Sequence, residues 1–193
     1  MNINDQLGRT LKAIKRDLEF AYVGAAQNSV AGNASTARKM TSLINQISTA
    51  VDSGSNSTDP LSEAKLLVAG QTAFNAGSDP SVLMIKPADS LLTAAFAAAS
   101  GRNREVQQGK TLVNVVDLYV SPFGEYKIVL NRHMLSTVAL LIDPTMFKQC
   151  VLRPFSRTLL AKTGDSDTHM VVGEYSCKHT NWGDSVKITG LTT

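Results

Sequence analysis

Residues 139–155, ALLIDPTMFKQCVLRPF, and residues 159–176, LLAKTGDSDTHMVVGEYS, decide the fold class of this chain. Both are rich in apolar and β-branched residues, and polar turn residues interrupt them, which is typical of β-strands. Similar runs lie at 111–120, 125–131 and 184–191, and Asn181-Trp182-Gly183 is predicted to be a hairpin turn before the last run. The second half of the chain is therefore predicted to be mostly antiparallel β-structure.

The first half is predicted to be mainly helical. Residues 4–24 carry a single apolar stripe at spacings of three and four, which indicates an amphipathic helix about 30 Å long. The stripe is narrow, so we expect this helix to lie along one side of a sheet, and Gly24 is the predicted stop. Further helices are predicted from Asp59-Pro60 to Gly77 and from Pro87 to Gly101, with a short strand at 81–87 between them. Helices followed by strands define an α+β chain.

Composition narrows the range of functions. The chain has 193 residues, 43% of them hydrophobic, and a net charge of +3 from 19 Lys and Arg against 16 Asp and Glu. This excess is small and scattered, so it does not indicate a dedicated nucleic-acid binder. The two cysteines, Cys150 and Cys177, predict reduced thiols in a cytosolic protein. The chain has no run of about 18 apolar residues, and its N-terminus lacks the apolar segment of a signal peptide.

Two triplets are typical of acylating serine hydrolases. Ser62-Glu63-Ala64-Lys65 matches S-x-x-K, and Lys162-Thr163-Gly164 matches K-T-G. Those enzymes also need S-x-N or Y-x-N between the two, and residues 66–161 contain neither. A serine at the start of a helix is common because its hydroxyl caps the helix. The sequence therefore predicts no enzyme and no catalytic residue.

Other candidate sites are equally weak. Residues 107–111, QQGKT, lack the first glycine of a phosphate-binding loop, because Arg104 occupies that position. Cys177 and His179 have a C-x-H spacing, and no second pair of ligands lies at zinc-site spacing. Acidic pairs such as Asp165 with Asp167 belong to predicted turns. Neither a metal site nor a cofactor is predicted.

Five sequence blocks in the second half occur in an order that resembles a known protein family. A single one of these motifs would not be enough to show the resemblance. The blocks begin PADSLLTAAF, SPFGEYKIVLNRHM, ALLIDPTMFKQCVLRPF, LLAKTGDSDTHMVVGEYS and DSVKITGL. In this order the chain resembles the major capsid proteins of tailed bacteriophages, most specifically in FGEYKIVLNRHM and LRPFSRTLLAKTGDS. The resemblance covers roughly residues 80–193 and is weaker back to Leu7.

The resemblance implies a fold of the Hong Kong 97 type. Such a fold has a peripheral lobe with a long spine helix and a long antiparallel β-sheet, and a mixed α/β axial lobe. It implies a spine helix within residues 1–30, an axial lobe at 31–150 and peripheral strands returning beside the helix at 151–193. Family members also carry an N-terminal arm and an extended loop before the spine helix. Since the predicted helix begins near Met1, we expect both to be missing and the purified chain to be a monomer or small oligomer.

The resemblance also implies a function and partners. Residues 160–166 would form a turn at the tip of the peripheral sheet, with Gly164 at positive φ and Lys162, Asp165 and Asp167 as contacts between subunits. The implied partners are further copies in hexameric and pentameric capsomers, together with portal, scaffold or decoration proteins. Packaged double-stranded DNA would be bound only non-specifically, and no membrane is involved. The protein would act in the virion after assembly in the bacterial host cytoplasm; the alternative is an encapsulin-like compartment shell.

Overall fold

A computed structural model describes residues 3–52, 59–99, 118–162, 164–165, 167–181 and 183–192. Its helices are α1 (Ile3–Glu19), which continues as a π-helical turn (Phe20–Gly24), α2 (Leu43–Gln46), α3 (Glu63–Asn75) and α4 (Asp89–Ala99). Its strands are β1 (Thr49–Asp52), β2 (Val82–Ile85), β3 (Leu118–Ser121), β4 (Gly124–Leu130), β5 (Ala139–Ile142), β6 (Phe147–Leu159), β7 (His169–His179) and β8 (Val186–Thr189). This mixture of helices and strands confirms the predicted α+β class. Residues 53–58 and the QQGKT stretch lie outside the described residues.

Six strands form one mixed sheet in the order β1-β8-β5-β2-β4-β3. The pairs β1–β8 and β2–β4 are parallel, whereas β2–β5, β3–β4 and β5–β8 are antiparallel. Among the described strands, the pairs formed within the second half of the chain are all antiparallel, as predicted for that half. In both parallel pairs one strand, β1 or β2, comes from the half that was predicted to be helical. The apolar periodicity of a strand does not reveal which distant strand it pairs with.

Both faces of the six-stranded sheet are covered, which gives three layers. On one face α3 and α4 pack against buried residues of β2, β4, β5 and β8, with Leu66, Leu141 and Ile188 fully buried. On the other face the π-helical turn and α2 pack against Leu140 and Ile142. The core of the described protein therefore lies on the two sides of this sheet.

The predicted first helix is confirmed, and its end is fixed by close packing at Gly24. A Cβ atom at Gly24 would lie 2.5 Å from the carbonyl oxygen of His133, so only glycine fits without a shift. The Leu135 amide donates to the Val23 carbonyl at 3.2 Å, which fastens the helix end to the loop before β5. Along α1 itself no described side chain is fully buried.

Strands β6 and β7 form a separate two-stranded antiparallel sheet, which we call the ribbon. β6 is one strand of 13 residues, with register shifts between Val151 and Ser156. Pro154 lies within this irregular stretch. Since proline donates no ladder hydrogen bond, it is tolerated at bulges and edges, and both strands of a ribbon are edges.

The position of β8 corrects one prediction. β7 pairs with β6 and β8 pairs with β1 and β5, so the two strands around Asn181 do not form a hairpin. β8 lies inside the six-stranded sheet, where Val186 and Ile188 are fully buried.

A buried lysine holds three segments together at one end of the six-stranded sheet. Lys86 Nζ donates to the Ser136 carbonyl at 2.6 Å and to the Thr192 carbonyl, and it lies 3.7 Å from Asp89 Oδ1. Burial raises the pKa of the Asp89 carboxyl above its ordinary value, although Lys86 opposes this shift. The segment after β8 is therefore anchored by a charged group inside the protein.

Candidate assembly surfaces

The turn at the tip of the ribbon contains all three predicted contact residues. The Leu160 amide donates to the Thr168 carbonyl at 2.9 Å, and Lys162 Nζ lies 3.0 Å from Asp167 Oδ1 across the turn. Lys162, Asp165 and Asp167 are all exposed. The structure therefore brings Lys162 and Asp167 together as an ion pair and leaves Asp165 facing solvent at the same tip.

The expected left-handed conformation of Gly164 is wrong. Among the described glycines, positive φ occurs at Gly77, Gly124 and Gly190 and not at Gly164. Thr163 and Ser166 lie outside the described residues.

The ribbon is irregular at its middle because two aromatic rings occupy the space above a glycine. A Cβ atom at Gly173 would lie 2.5 Å from the Phe155 ring, which is 4.6 Å from the Tyr175 ring between centroids. The Phe155 amide donates to the Tyr175 hydroxyl at 3.1 Å instead of to a strand carbonyl. The aromatic pair therefore stabilises the bulge and supplies the hydrogen bond that the ladder loses there.

The ribbon carries an unfavourable pair of charges near its base. Lys148 and Lys178 lie directly opposite each other in the register, and both are exposed. Within the described part of the chain neither lysine forms an ion pair, whereas Arg153 and Glu174 farther along the ribbon do. Like charges that face each other across two strands destabilise the pairing.

Replacing Lys178 with glutamate should therefore stabilise the isolated chain. An opposite-charge cross-strand pair contributes about 0.2–1 kcal/mol, and the repulsion is removed at the same time. Urea unfolding of the variant, at low and high salt, measures the gain, which should shrink as salt screens the pair. A midpoint that does not rise at low salt would contradict the interpretation, and Lys39→Glu, at an exposed site away from the ribbon, is the control.

The base of the ribbon is fixed to the body by one glutamine. Gln46 Nε2 donates to the Thr41 carbonyl at 3.1 Å and to the Cys177 carbonyl at 3.0 Å, and Gln46 Oε1 accepts from the His179 amide at 3.0 Å. Beside it the Tyr22 hydroxyl accepts from Gln149 Nε2 at 3.4 Å. These contacts join α2 and the π-helical turn to both strands at the base of the ribbon.

His179 is buried at this base and stacks on Phe147, with ring centroids 4.3 Å apart. Its Nε2 lies 3.4 Å from the Ser185 hydroxyl, and its Nδ1 has no hydrogen-bond partner among the described residues. Burial lowers the pKa of His179, although the nearby Asp184 carboxylate opposes this shift. The folded protein therefore favours the neutral imidazole.

Acidification should destabilise the fold through His179. Because its folded pKa lies below its unfolded value of about 6.5, the unfolded chain takes up this proton first, and stability is lost as the pH falls from 6.5 through the folded pKa. Urea midpoints at pH 7.5 and 5.5 should differ more for the wild type than for His179→Gln. The control is His169→Gln, which should keep the wild-type difference; a wild-type difference unchanged by His179→Gln would contradict the prediction.

The hydrolase triplets take no part in a common site. Ser62 caps α3, accepting from the Lys65 amide at 3.4 Å, and Lys65 Nζ donates to the Pro60 carbonyl at 3.0 Å. Lys162 lies at the tip of the ribbon, which is a separate sheet. Ser62 and Lys65 therefore belong to the start of α3. This helix begins at Glu63, three residues after its predicted start at Pro60.

The cysteines and histidines also form no cluster. Cys150 and Cys177 are both free thiols, and burial raises the pKa of Cys177. In the register Cys150 faces Ser176, so the two thiols point to opposite faces of the ribbon. Among the described residues no three His, Cys, Asp or Glu side chains could together hold a metal ion, and no described helix is long and apolar enough to cross a membrane.

Comparison with known proteins identifies the family. A profile of the SU10 major capsid protein family matches residues 1–192, so the chain belongs to that family. It is 31% identical over 111 residues to the major capsid protein of Escherichia phage Phieco32, covering 56% of this chain and 32% of that protein. The chain therefore spans about a third of the length of this curated relative.

Two solved structures are similar at low sequence identity. One is the virus-like particle from Pyrococcus furiosus, at 16% identity and a TM-score of 0.41, covering 76% of this chain and 58% of that one. The other contains the phage G gp27 major capsid proteins with gp26 decoration proteins, at 10% identity and a TM-score of 0.45, covering 85% and 57%. The predicted resemblance to phage major capsid proteins is confirmed by the family match, and the compartment and hydrolase alternatives gain no support.

Proposed function

We propose that this chain forms the shell-building unit of a phage major capsid protein, which self-associates as hexamers and pentamers into an icosahedral shell around double-stranded DNA. The family match over residues 1–192 carries this proposal. The ribbon supports it, because in β6 only Phe147 and Phe155 are even partly buried. A strand of 13 residues that buries so little in its own chain has most of its surface left for contacts with other copies.

Within that function, the tip of the ribbon is the proposed contact between neighbouring subunits. The Lys162–Asp167 ion pair joins the two sides of the turn, and each partner is more than half exposed, so a neighbour can still reach both side chains. Asp165 adds an exposed carboxylate at the same tip. Exposed ion pairs contribute little to the stability of a single chain, so these charges serve specificity at a contact better than they serve folding.

The protein acts in the virion after assembly in the host cytoplasm, with portal, scaffold or decoration proteins as further partners. It has no hydrolase activity, because Ser62 is engaged in capping α3 and Lys162 is at the ribbon tip. A fluorescent penicillin should therefore leave Ser62 unlabelled.

Replacing Asp165 with lysine tests the proposed contact. The melting temperature of the isolated chain should stay within roughly 1–2 °C, because a surface substitution costs about 0.5 kcal/mol or less. Shell yield from the complete reading frame should fall several-fold, since like charges would then meet at every symmetry-related tip. Electron microscopy and sedimentation measure the yield, and Asp79→Lys, at another exposed aspartate outside the ribbon, is the control. Full shell yield from Asp165→Lys, or an equal loss from the control, would contradict the assignment of the tip.

A further inference from the structure

Helix α1 has a continuous positively charged side. Four cations, which we call the basic face, lie within two turns of this helix: Arg9, Lys12, Lys15 and Arg16. Their spacings of three, four and seven residues place them on one side of the helix. All four side chains are exposed, so these cations form one cluster at the surface.

The opposite side of α1 carries the apolar stripe, and the two sides differ in exposure. Leu7, Leu11, Ile14 and Leu18 are each partly buried, whereas the basic face is open to solvent. A helix that lies in a membrane surface turns its apolar side into the lipid with the basic residues flanking it. Because the stripe is already partly covered, the surface that α1 presents to a partner is cationic and not amphipathic.

The basic face carries more cations than acids. Among the described residues none of the four cations forms an ion pair, and the acids on this side are Asp5, four residues before Arg9, and Glu19, four residues after Lys15. Glu19 Oε1 already accepts a hydrogen bond from Asn131 Nδ2 at 2.9 Å. The two acids offset the repulsion among the four cations only in part, so this side of α1 keeps a net positive charge.

We propose that the basic face of α1 binds the phosphate backbone of double-stranded DNA without reading its sequence. The proposal rests on the proposed function, in which the shell encloses a duplex. At 1.5 Å per residue, Arg9 and Arg16 lie about 10 Å apart along the helix, beside a polymer that carries one charge per roughly 1.7 Å of its axis. The basic face consists of cations, so the contact that it makes is electrostatic.

Fluorescence anisotropy with a labelled 20-base-pair duplex tests the proposal on the full chain. The basic-face variant Arg9→Gln, Lys12→Gln, Lys15→Gln, Arg16→Gln should bind at least about 10-fold more weakly at 50 mM salt. The matched control Arg38→Gln, Lys39→Gln, Lys127→Gln, Arg132→Gln removes four other exposed cations and should change affinity by less than about 3-fold. For the wild type the slope of log affinity against log salt should be roughly −3 to −4, at about −0.9 per phosphate contact.

A second variant keeps the proposal testable if four substitutions unfold α1, which circular dichroism would reveal. Arg9→Gln, Arg16→Gln retains two cations and should reduce the salt slope by about 2, or roughly 1 per contact. Equal losses in the basic-face variant and the matched control would overturn the proposal. So would tighter binding to poly-glutamate, or to phosphatidylglycerol vesicles, than to the duplex at equal charge concentration.

Failure of this inference is distinguishable from failure of the proposed function. If the wild-type reading frame yields closed shells but both four-fold variants bind DNA equally, only the basic face is wrongly assigned. If the wild-type reading frame yields no shells under conditions in which the phage replicates, the proposed function itself fails.

Discussion

Replacing Gly24 with alanine should destabilise the isolated chain by about 1–3 kcal/mol, the usual cost of adding a methylene group to a packed interior. The new Cβ atom would lie 2.5 Å from the carbonyl oxygen of His133, and backbone cannot move aside as cheaply as the end of a side chain. For a domain of this size the loss corresponds to a melting temperature lower by roughly 2–12 °C. Thermal unfolding followed by circular dichroism measures the change.

Gly8→Ala is the matched control and should act in the opposite direction. Gly8 lies inside α1, and a Cβ atom added there would meet nothing within 4 Å, so alanine removes only the entropic cost of a helical glycine. The expected gain is about 0.5–1 kcal/mol. Equal effects of the two substitutions would show that Gly24 is not held by the close approach of the His133 carbonyl.

Replacing Gln46 with alanine should also cost about 1–3 kcal/mol, because it leaves hydrogen-bonding groups of the ribbon base without their partners. The Cys177 carbonyl would lose its donor and the His179 amide its acceptor. Urea unfolding gives the loss in stability. Native-state hydrogen exchange should show faster exchange of the His179 amide than of the buried amides of β5.

Two further variants separate the donor and acceptor roles of Gln46. Gln46→Glu retains an acceptor for the His179 amide but places a carboxylate next to the Thr41 and Cys177 carbonyls, so it should be at least as destabilising as alanine. Gln149→Ala removes only a 3.4 Å hydrogen bond to Tyr22 at an exposed position and should change stability by less than about 0.5 kcal/mol. A loss from Gln149→Ala as large as that from Gln46→Ala would mean that the base is not held mainly by Gln46.

Local patterns in the sequence predicted most of the elements, although not β1, and did not predict which strands pair. The stripe from Leu7 to Leu18 predicted α1, and the apolar run at 82–85 predicted β2, because periodicity reports which residues one element buries. The location of β8 could not be predicted in this way. The sequence of β8, VKIT, is compatible with an edge strand and with a central strand. Its neighbours in the sheet, β1 and β5, are distant in sequence.

The candidate sites show the same difference between local signals, which can be predicted, and contacts between distant residues, which cannot. Turn residues predicted the tip with Lys162, Asp165 and Asp167, since a cluster of Gly, Asp and Ser between two strands is a local signal. The role of Gln46 was missed, because a single glutamine in a weakly amphipathic segment carries no signal of two carbonyls and an amide brought to it by the fold. The basic face was missed for a different reason. The net charge of +3 averages over the whole chain, whereas a helical wheel of residues 9–16 would have shown the clustering.

The order of strands in the large sheet also constrains when the protein can fold. β8, the last strand of the described sequence, pairs with both β1 and β5, and β1 has no other partner among the described strands. On the ribosome β1 is made early and must wait for β8, on the order of ten seconds at typical rates of synthesis. Contacts between such distant segments also slow the folding step itself. A chain that has been made only as far as β5 therefore still lacks the strand that joins β1 to the rest of the sheet.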